Sequence, residues 1–175
     1  IPVFAGLAAS GYDGVEIPLV GQSATELKTM AAACDDLGLA RTAVAFVGAH
    51  VNPISPDAAI RRAAVDNLKK GIDDARIIGA DLLAGAIYQA HKYFTGCGPT
   101  EQEWNWSADY LRTCGEYAQQ VGVRLRVDLA LQDLRRARDR QVGDRVAERL
   151  LGASDFLLDL GLRRRDDAIR LGLRQ

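Results

Sequence analysis

The sequence predicts an α/β fold built as a repeating βα array, and three observations predict it. Helical stretches end at four glycines, Gly11, Gly38, Gly79 and Gly122, where a left-handed cap is wanted that glycine adopts without steric cost. A short apolar run follows each glycine almost at once: GYDGVEIPLV, GLARTAVAFVG, GADLLAGAIY and GVRLRVDLA. Runs so rich in Val, Ile, Leu and Ala, and so little interrupted, read as parallel strands buried on both faces. The order strand, helix, glycine, strand then recurs at roughly 30 to 40 residues, the spacing of βα units. Such arrays collect their chemistry in the loops at the C-terminal ends of the strands.

The elements follow in order. Residues 1–10 read as the last turns of a helix, so the chain enters the array inside a repeat. Gly14–Val20 is expected as a strand. Ser23 caps the next helix and Glu26, three residues on, completes a capping box; Leu27, Met30, Ala31, Cys34 and Leu37 then fall at helical spacing. Thr42–Gly48 is the second expected strand, followed by the loop AHVNPISPD. There Ser55 reads as an N-cap with Pro56 at the first helical position, opening a helix to about Ile78 through Ile60, Ala64, Leu68, Ile72 and Ala75. Asp81–Tyr88 is the third strand. After the long connection QAHKYFTGCGPT, Thr100 and Glu103 form a second capping box, and the helix they open carries Trp104, Ala108, Leu111, Cys114 and Ala118 on one face. Val123–Ala130 is the fourth strand. Beyond it the pattern blurs: a helix over Leu131–Leu151, a strand over Asp155–Leu160 and a helix over Arg163–Arg174 are expected.

Composition bounds the function. With 175 residues and a formal net charge of -1, the chain has room for one sizeable core and no general attraction to nucleic acid or a membrane surface. No apolar stretch approaches the roughly 20 residues of a membrane span. Its three cysteines, Cys34, Cys97 and Cys114, have no metal-ligand spacing, and Cys34 and Cys114 fall on apolar helix faces as plain core residues. An odd thiol count without a recognisable signal peptide makes the cytoplasm the expected compartment. The average charge hides a split: residues up to Val123 carry nine Lys and Arg against 14 Asp and Glu, whereas from Arg124 onward there are 13 Arg and nine acids. The second stretch lacks Lys, Thr, Pro, Asn, Tyr, Trp, His, Met and Cys altogether. We therefore divide the chain into a βα portion, 1–123, and an Arg-rich divergent continuation of the same array, 124–175. The alternating charges of that continuation suit a solvated helix face better than a nucleic-acid site.

Candidate chemistry lies past the strand ends. Glu16 sits in the second half of its strand between Val15 and Ile17, and a carboxylate among apolar neighbours is costly without a partner. It either projects toward a pocket or bonds to the adjoining strand. His50 and Asn52 lie just past the second strand, as ligand contacts or as ordinary loop residues. Tyr88, His91, Tyr93 and Phe94 cluster past the third, where aromatics either wall a small polar substrate or pack beneath the loop. Asp128 and Asp159 are acids late in expected strands, the minimum for holding a divalent metal through oxygen ligands.

These residues carry a resemblance. GYDGVEIPL, NPISPDAAIRRAAVDNLKKGIDDARIIGADLLAGAIY and FTGCGPTEQEWNWSADYLRTCGEYAQQVGVRL together resemble the xylose-isomerase-like TIM-barrel superfamily, and within it the ketose 3-epimerases that act on D-tagatose and D-psicose. The resemblance runs through about Leu125. It implies a (β/α)8 barrel of roughly 250 residues, of which about five to six βα units are present here and the first and last strands are missing. It implies a ketose as the small-molecule partner, and a divalent metal, Mn2+ or Co2+ with Mg2+ as a further choice. In the family that metal is held by Glu, Asp, His and Glu of the last four strands. The metal polarises the sugar oxygens, while carboxylates remove and return the proton on the carbon next to the carbonyl.

The chain departs from the family at the positions that matter most. Where the family reads V-E-P-x-N-R-F-E, this chain reads VDLALQD, so Asp128 stands one methylene short at the position of the ligand and acid/base Glu. Where the family reads L-L-D-T-x-H, this chain reads LLDLGL: Asp159 matches the metal Asp and Leu162 replaces the His. Asp166 and Asp167 fall where an acidic pair is common. The expectation is a truncated barrel, weakly active or inactive as a sugar isomerase or epimerase, with Asp128 catalytic, Asp128 and Asp159 on the metal, and Glu16, His50 and Tyr88 on the sugar. The break near Arg124 is what a reading-frame change or decay leaves, although the retained spacing of the Asp residues argues against a simple frameshift. The alternative is a non-catalytic, sugar-binding remnant of the same barrel. A hydroxypyruvate isomerase or inosose dehydratase relative also fits. A DNA-repair endonuclease of the superfamily fits poorly, because its metal cluster needs more His than the two present, His50 and His91. Open barrel edges expose unpaired strand groups, so the isolated chain is expected to aggregate or to pair, and a homo-oligomer of the family kind is compatible with that.

Overall fold

A computed structural model describes residues 2–127. In chain order the elements are α1 (Pro2–Ala9), β1 (Gly14–Pro18), α2 (Ala24–Asp36), β2 (Ala40–Val44), a 3-10 turn (Ala49–Val51), α3 (Ala58–Ile77), β3 (Leu82–Gly85), α4 (Glu101–Val121) and β4 (Arg124–Val127). The four strands form one sheet in the order β1-β2-β3-β4, each parallel to the next. Consecutive parallel neighbours with a helix between each pair make an arc of barrel wall; a doubly wound sheet would reverse its strand order at a switch point. The expected βα array is therefore present, and the described residues form part of a (β/α)8-type fold. The elements expected over residues 131–174 lie outside the described residues, as does most of the portion 124–175.

Register explains which residues are inside. Ile17, Ala43, Leu83 and Leu125 stand in one row across the four strands, and all four are buried. They join one core with Leu27 and Cys34 of α2, Leu68, Ile72 and Ala75 of α3, and Leu111, Cys114 and Ala118 of α4. Side chains alternate along a strand, so the neighbouring rows look the other way. One holds the pairs Glu16–Thr42 and Leu82–Arg124, and the next runs through Pro18, Val44, Ala84 and Arg126.

The helix starts are where local chemistry puts them. In α2 the Ser23 hydroxyl accepts from the Glu26 N–H at 3.3 Å, and the Glu26 carboxylate accepts from the Ser23 N–H at 2.7 Å. Thr100 and Glu103 repeat the exchange at the head of α4, at 3.2 and 2.7 Å. The start of α3 corrects the sequence reading. Its N-cap is Asp57, whose carboxylate accepts from the Ala59 N–H at 2.7 Å, and Ser55 instead takes the Asp57 N–H at 3.2 Å. The carbonyls of Ser55 and Pro56 are claimed by the Arg61 guanidinium at 2.6 and 2.9 Å, which holds those two residues outside the helix.

Strands β1, β2 and β3 are shorter than expected, and β2 starts two residues earlier; the expected end of β4 lies outside the described residues. All four joint glycines have positive φ, from 66° at Gly38 to 83° at Gly11, in agreement with the glycine-capped pattern. Gly85 is a different case. Its φ is 144°, and a Cβ there would lie 2.0 Å from the Ala45 carbonyl oxygen. The Ala45 N–H donates to the Ala84 carbonyl at 2.9 Å, so β2 and β3 are still hydrogen-bonded where both end. Beyond this point each chain turns into its loop.

Gly85→Ala is predicted to cost about 3 kcal/mol or more, since it adds a backbone clash to a conformation that L-residues avoid. Gly6→Ala, inside α1 with open space around its Cα, is predicted to stabilise by about 0.5–1 kcal/mol through helix propensity. Urea unfolding of the two variants beside the parent tests both signs, and a Gly85→Ala protein of parental stability would refute the close approach.

Candidate functional site

The loops leaving β2 and β3 form the built part of the strand-end region. Residues Val51 to Ser55 are buried although they belong to no regular element beyond the 3-10 turn. A buried loop must satisfy its own polar groups. Here Val51 N–H donates to Gly48 carbonyl at 3.1 Å and Ser55 N–H to Asn52 carbonyl at 3.1 Å. The Asn52 side-chain oxygen accepts from the N–H of Ile54 at 3.3 Å and of Ala90 at 3.0 Å. The His91 N–H donates to the Val47 carbonyl at 2.7 Å. On the outside, the Arg61 guanidinium lies 4.1 Å from the centre of the Trp106 ring, and the Ser107 hydroxyl donates to the Tyr88 carbonyl at 2.9 Å. The head of α4 thus anchors both loops.

On this platform the structure brings two rings together. Phe46 and His91 have centroids 5.3 Å apart and planes inclined at 55°. Phe46 is 53% exposed while its neighbour Val47 is buried in the core, so the alternation of β2 continues past its last ladder residue and turns Phe46 to the face of Thr42 and Val44. Sequence reasoning takes Phe46 for part of a buried strand. The signal that could find it is parity, because Ala43 and Val47 share the core face and Phe46 cannot.

The residues named from sequence are distributed as follows. Glu16 is in the middle of β1 with Thr42 as its register partner; it is exposed and lies in a row away from the core. His50 is exposed in the 3-10 turn, and its ring folds back over Gly48, where a Cβ would meet His50 Cε1 at 2.9 Å. Tyr88 is half-buried and packs against the core beneath its loop. His50 and Tyr88 therefore lie on the two joined loops, and Glu16 lies on the adjoining strand. Asp128 and Asp159 are outside the described residues. Among the described residues no three His, Cys, Asp or Glu side chains are grouped so as to hold a metal ion. No helix among them is long and apolar enough to cross a membrane.

With this geometry in view, known proteins supply the context. The family model described as xylose isomerase-like TIM barrel matches residues 4–139. Among solved structures, an L-ribulose 3-epimerase is 26% identical with a TM-score of 0.69, over 74% of this chain and 43% of that one. D-allulose 3-epimerase from Methylomonas sp., solved with D-allulose, is 22% identical with a TM-score of 0.67, over 73% of this chain and 44% of that one. D-psicose 3-epimerase from Clostridium cellulolyticum H10, solved with D-tagatose, is 21% identical with a TM-score of 0.67, over 73% and 46%. The chain thus spans less than half the length of these structures and shares their fold. No curated protein matches the sequence.

The three thiols report on this arrangement. Cys34 and Cys114 are buried and Cys97 is exposed in the loop after β3. Burial pushes the Cys114 thiol up to about 12, with Asp66 adding to the rise and Lys69 opposing it. Neutral thiols out of water are poor nucleophiles. Brief iodoacetamide treatment at pH 8 is predicted to give a single adduct, at Cys97, and three adducts in urea. Mass spectrometry counts them, and rapid labelling of Cys114 in the folded chain would contradict the α3–α4 packing.

Proposed function

The chain belongs to the xylose isomerase-like TIM barrel family, and from that premise we propose that it is a sugar isomerase- or epimerase-type protein whose strand-end loops seat a small ketose. One observation carries the reading: two loops fixed to each other and to α4 present the Phe46–His91 ring pair on the side away from the core. Pockets for small molecules are mostly apolar walls with a few placed polar groups. Phe46 and His91 supply the wall, Tyr88 and His50 stand on the same loops, and Glu16 lies deeper on the same side of the sheet. That the D-allulose and D-psicose 3-epimerase structures were solved with sugars supports a ketose as the ligand.

The reaction in this reading is proton transfer at the carbon next to the ketose carbonyl, as 3-epimerisation or aldose–ketose exchange. Asp128 is assigned as the carboxylate that removes the proton, and Asp128 with Asp159 as ligands of a divalent Mn2+, Co2+ or Mg2+ ion. Bound there, such an ion would polarise the sugar oxygens. The described residues do not form a metal centre by themselves; what their geometry supports is the seating of the ketose. Aspartate at position 128 is shorter than the family's glutamate, and Leu162 stands at its histidine position. Both changes lead us to expect weak activity or none, with sugar binding retained.

The test incubates the full chain with D-tagatose or D-fructose in D2O, with and without Mn2+. Deuterium uptake is read by mass spectrometry, and ketose affinity by calorimetry. Phe46→Ala is predicted to weaken ketose binding about tenfold, equivalent to about 1.4 kcal/mol, and Asp128→Asn to abolish whatever exchange occurs. Binding without exchange favours the sugar-binding remnant. Absence of ketose binding sinks the reading.

A further inference from the structure

Asn52 is the feature of this region that ketose seating leaves unexplained. It is 5% exposed, a polar side chain inside a buried loop, and its amide oxygen accepts two backbone N–H groups. The bond to Ile54 is local and shapes the loop's own turn. The bond to Ala90 spans 38 positions and reaches the other loop. The next residue, His91, donates its N–H back to Val47. Two consecutive amides of the β3 loop are therefore held by the β2 loop, one by a side chain and one by a carbonyl. Phe46 immediately precedes Val47 and His91 immediately follows Ala90, so the ring pair sits beside these two bonds.

We propose that Asn52 is a positioning residue: through the Ala90 amide it sets the separation of Phe46 and His91, and so the shape of the wall on which the ketose seats. The proposal rests on the seating described above. The outer anchors do not replace it. Arg61 of α3 holds Ser55 and Pro56 and lies over Trp106, and Ser107 of α4 holds Tyr88, so each anchor fixes one loop to a helix. Asn52 couples the loops directly. A leucine has nearly the same shape and no acceptor, and leaves two buried N–H groups without a partner. An aspartate keeps an acceptor oxygen in the same place.

The experiment compares Asn52→Leu and Asn52→Asp in the full chain. It reads the NOE between the His91 and Phe46 rings, hydrogen exchange at the Ala90 amide, and affinity for D-tagatose. Asn52→Leu is expected to lose the NOE, to speed Ala90 exchange at least tenfold, and to weaken D-tagatose binding about tenfold, the scale of one buried donor left unpaired. Asn52→Asp is expected to keep the NOE and hold affinity within about twofold, because its carboxylate oxygen still accepts from Ala90. If Asn52→Leu does not fold, Asn52→Thr, whose hydroxyl is too short to reach Ala90, takes its place. An unchanged NOE and affinity in the leucine or threonine variant overturns the proposal, and so does equal loss in the aspartate variant. If the parent binds no D-tagatose while the NOE follows the acceptor, the positioning role stands and the ketose reading fails.

Discussion

The approach of the Ala45 carbonyl to Gly85 is the constraint on which the strand-end region depends. At this point β2 and β3 are still bonded, Ala45 N–H to Ala84 carbonyl, and the space a Cβ would need is filled by backbone oxygen. The contact fixes where the ladder stops. It also helps fix parity, because side chains alternate with a period of two and a one-residue slip would exchange the two faces. Ala43, Val47, Leu83 and Ile87 then fall on the core side. Phe46 falls on the other.

Burial of the loop after β2 follows from the same parity. Val47 and Val51 enter the core, which draws the backbone between them and beyond them out of water. The chain answers with short-range bonds, and Asn52 supplies the acceptor that the backbone cannot. Arg61 serves two ends at once: it occupies carbonyls ahead of α3 and places its charge over Trp106. An arginine fork over an aromatic ring adds modest stabilisation, about 0.5–1 kcal/mol at an exposed site. Here its larger effect is geometric, since it ties the ISPD segment to the helix that also holds Tyr88.

Much of this fold is legible in the sequence because its signals are local. The glycines at 11, 38, 79 and 122, both capping boxes, and the helical spacing of Leu68, Ile72 and Ala75 each act within a few residues of chain. What is not legible depends on partners far away in sequence. Ser55 and Asp57 are both acceptable caps, and the choice between them involves Arg61. The third strand reads on to Tyr88 because nothing in AGAIY announces that Gly85 meets Ala45. Asn52 stands out only as a loop residue, since its bond to Ala90 cannot be read from spacing. His50 is a fair candidate by residue type, yet its ring closes over its own glycine. Asp128 and Asp159 rest on their place in expected strands and on family resemblance, and both lie outside the described residues.

Depth separates the candidate residues into two groups. Glu16 pairs in register with Thr42, and Phe46 is four residues further along the same chain. At about 3.3 Å per residue that is about 13 Å. A ketose is shorter than this, and a glutamate side chain recovers only a few ångströms of the distance. A small sugar with one end against Phe46 and His91 can therefore meet the Glu16 carboxylate only with its other end. Chemistry in βα barrels gathers at the C-terminal rim, which is the level of the ring pair. Glu16 thus lies deeper than the ring pair on the same side of the sheet, and in the proposed reading the proton-moving carboxylate is sought at another strand end, level with Phe46 and His91.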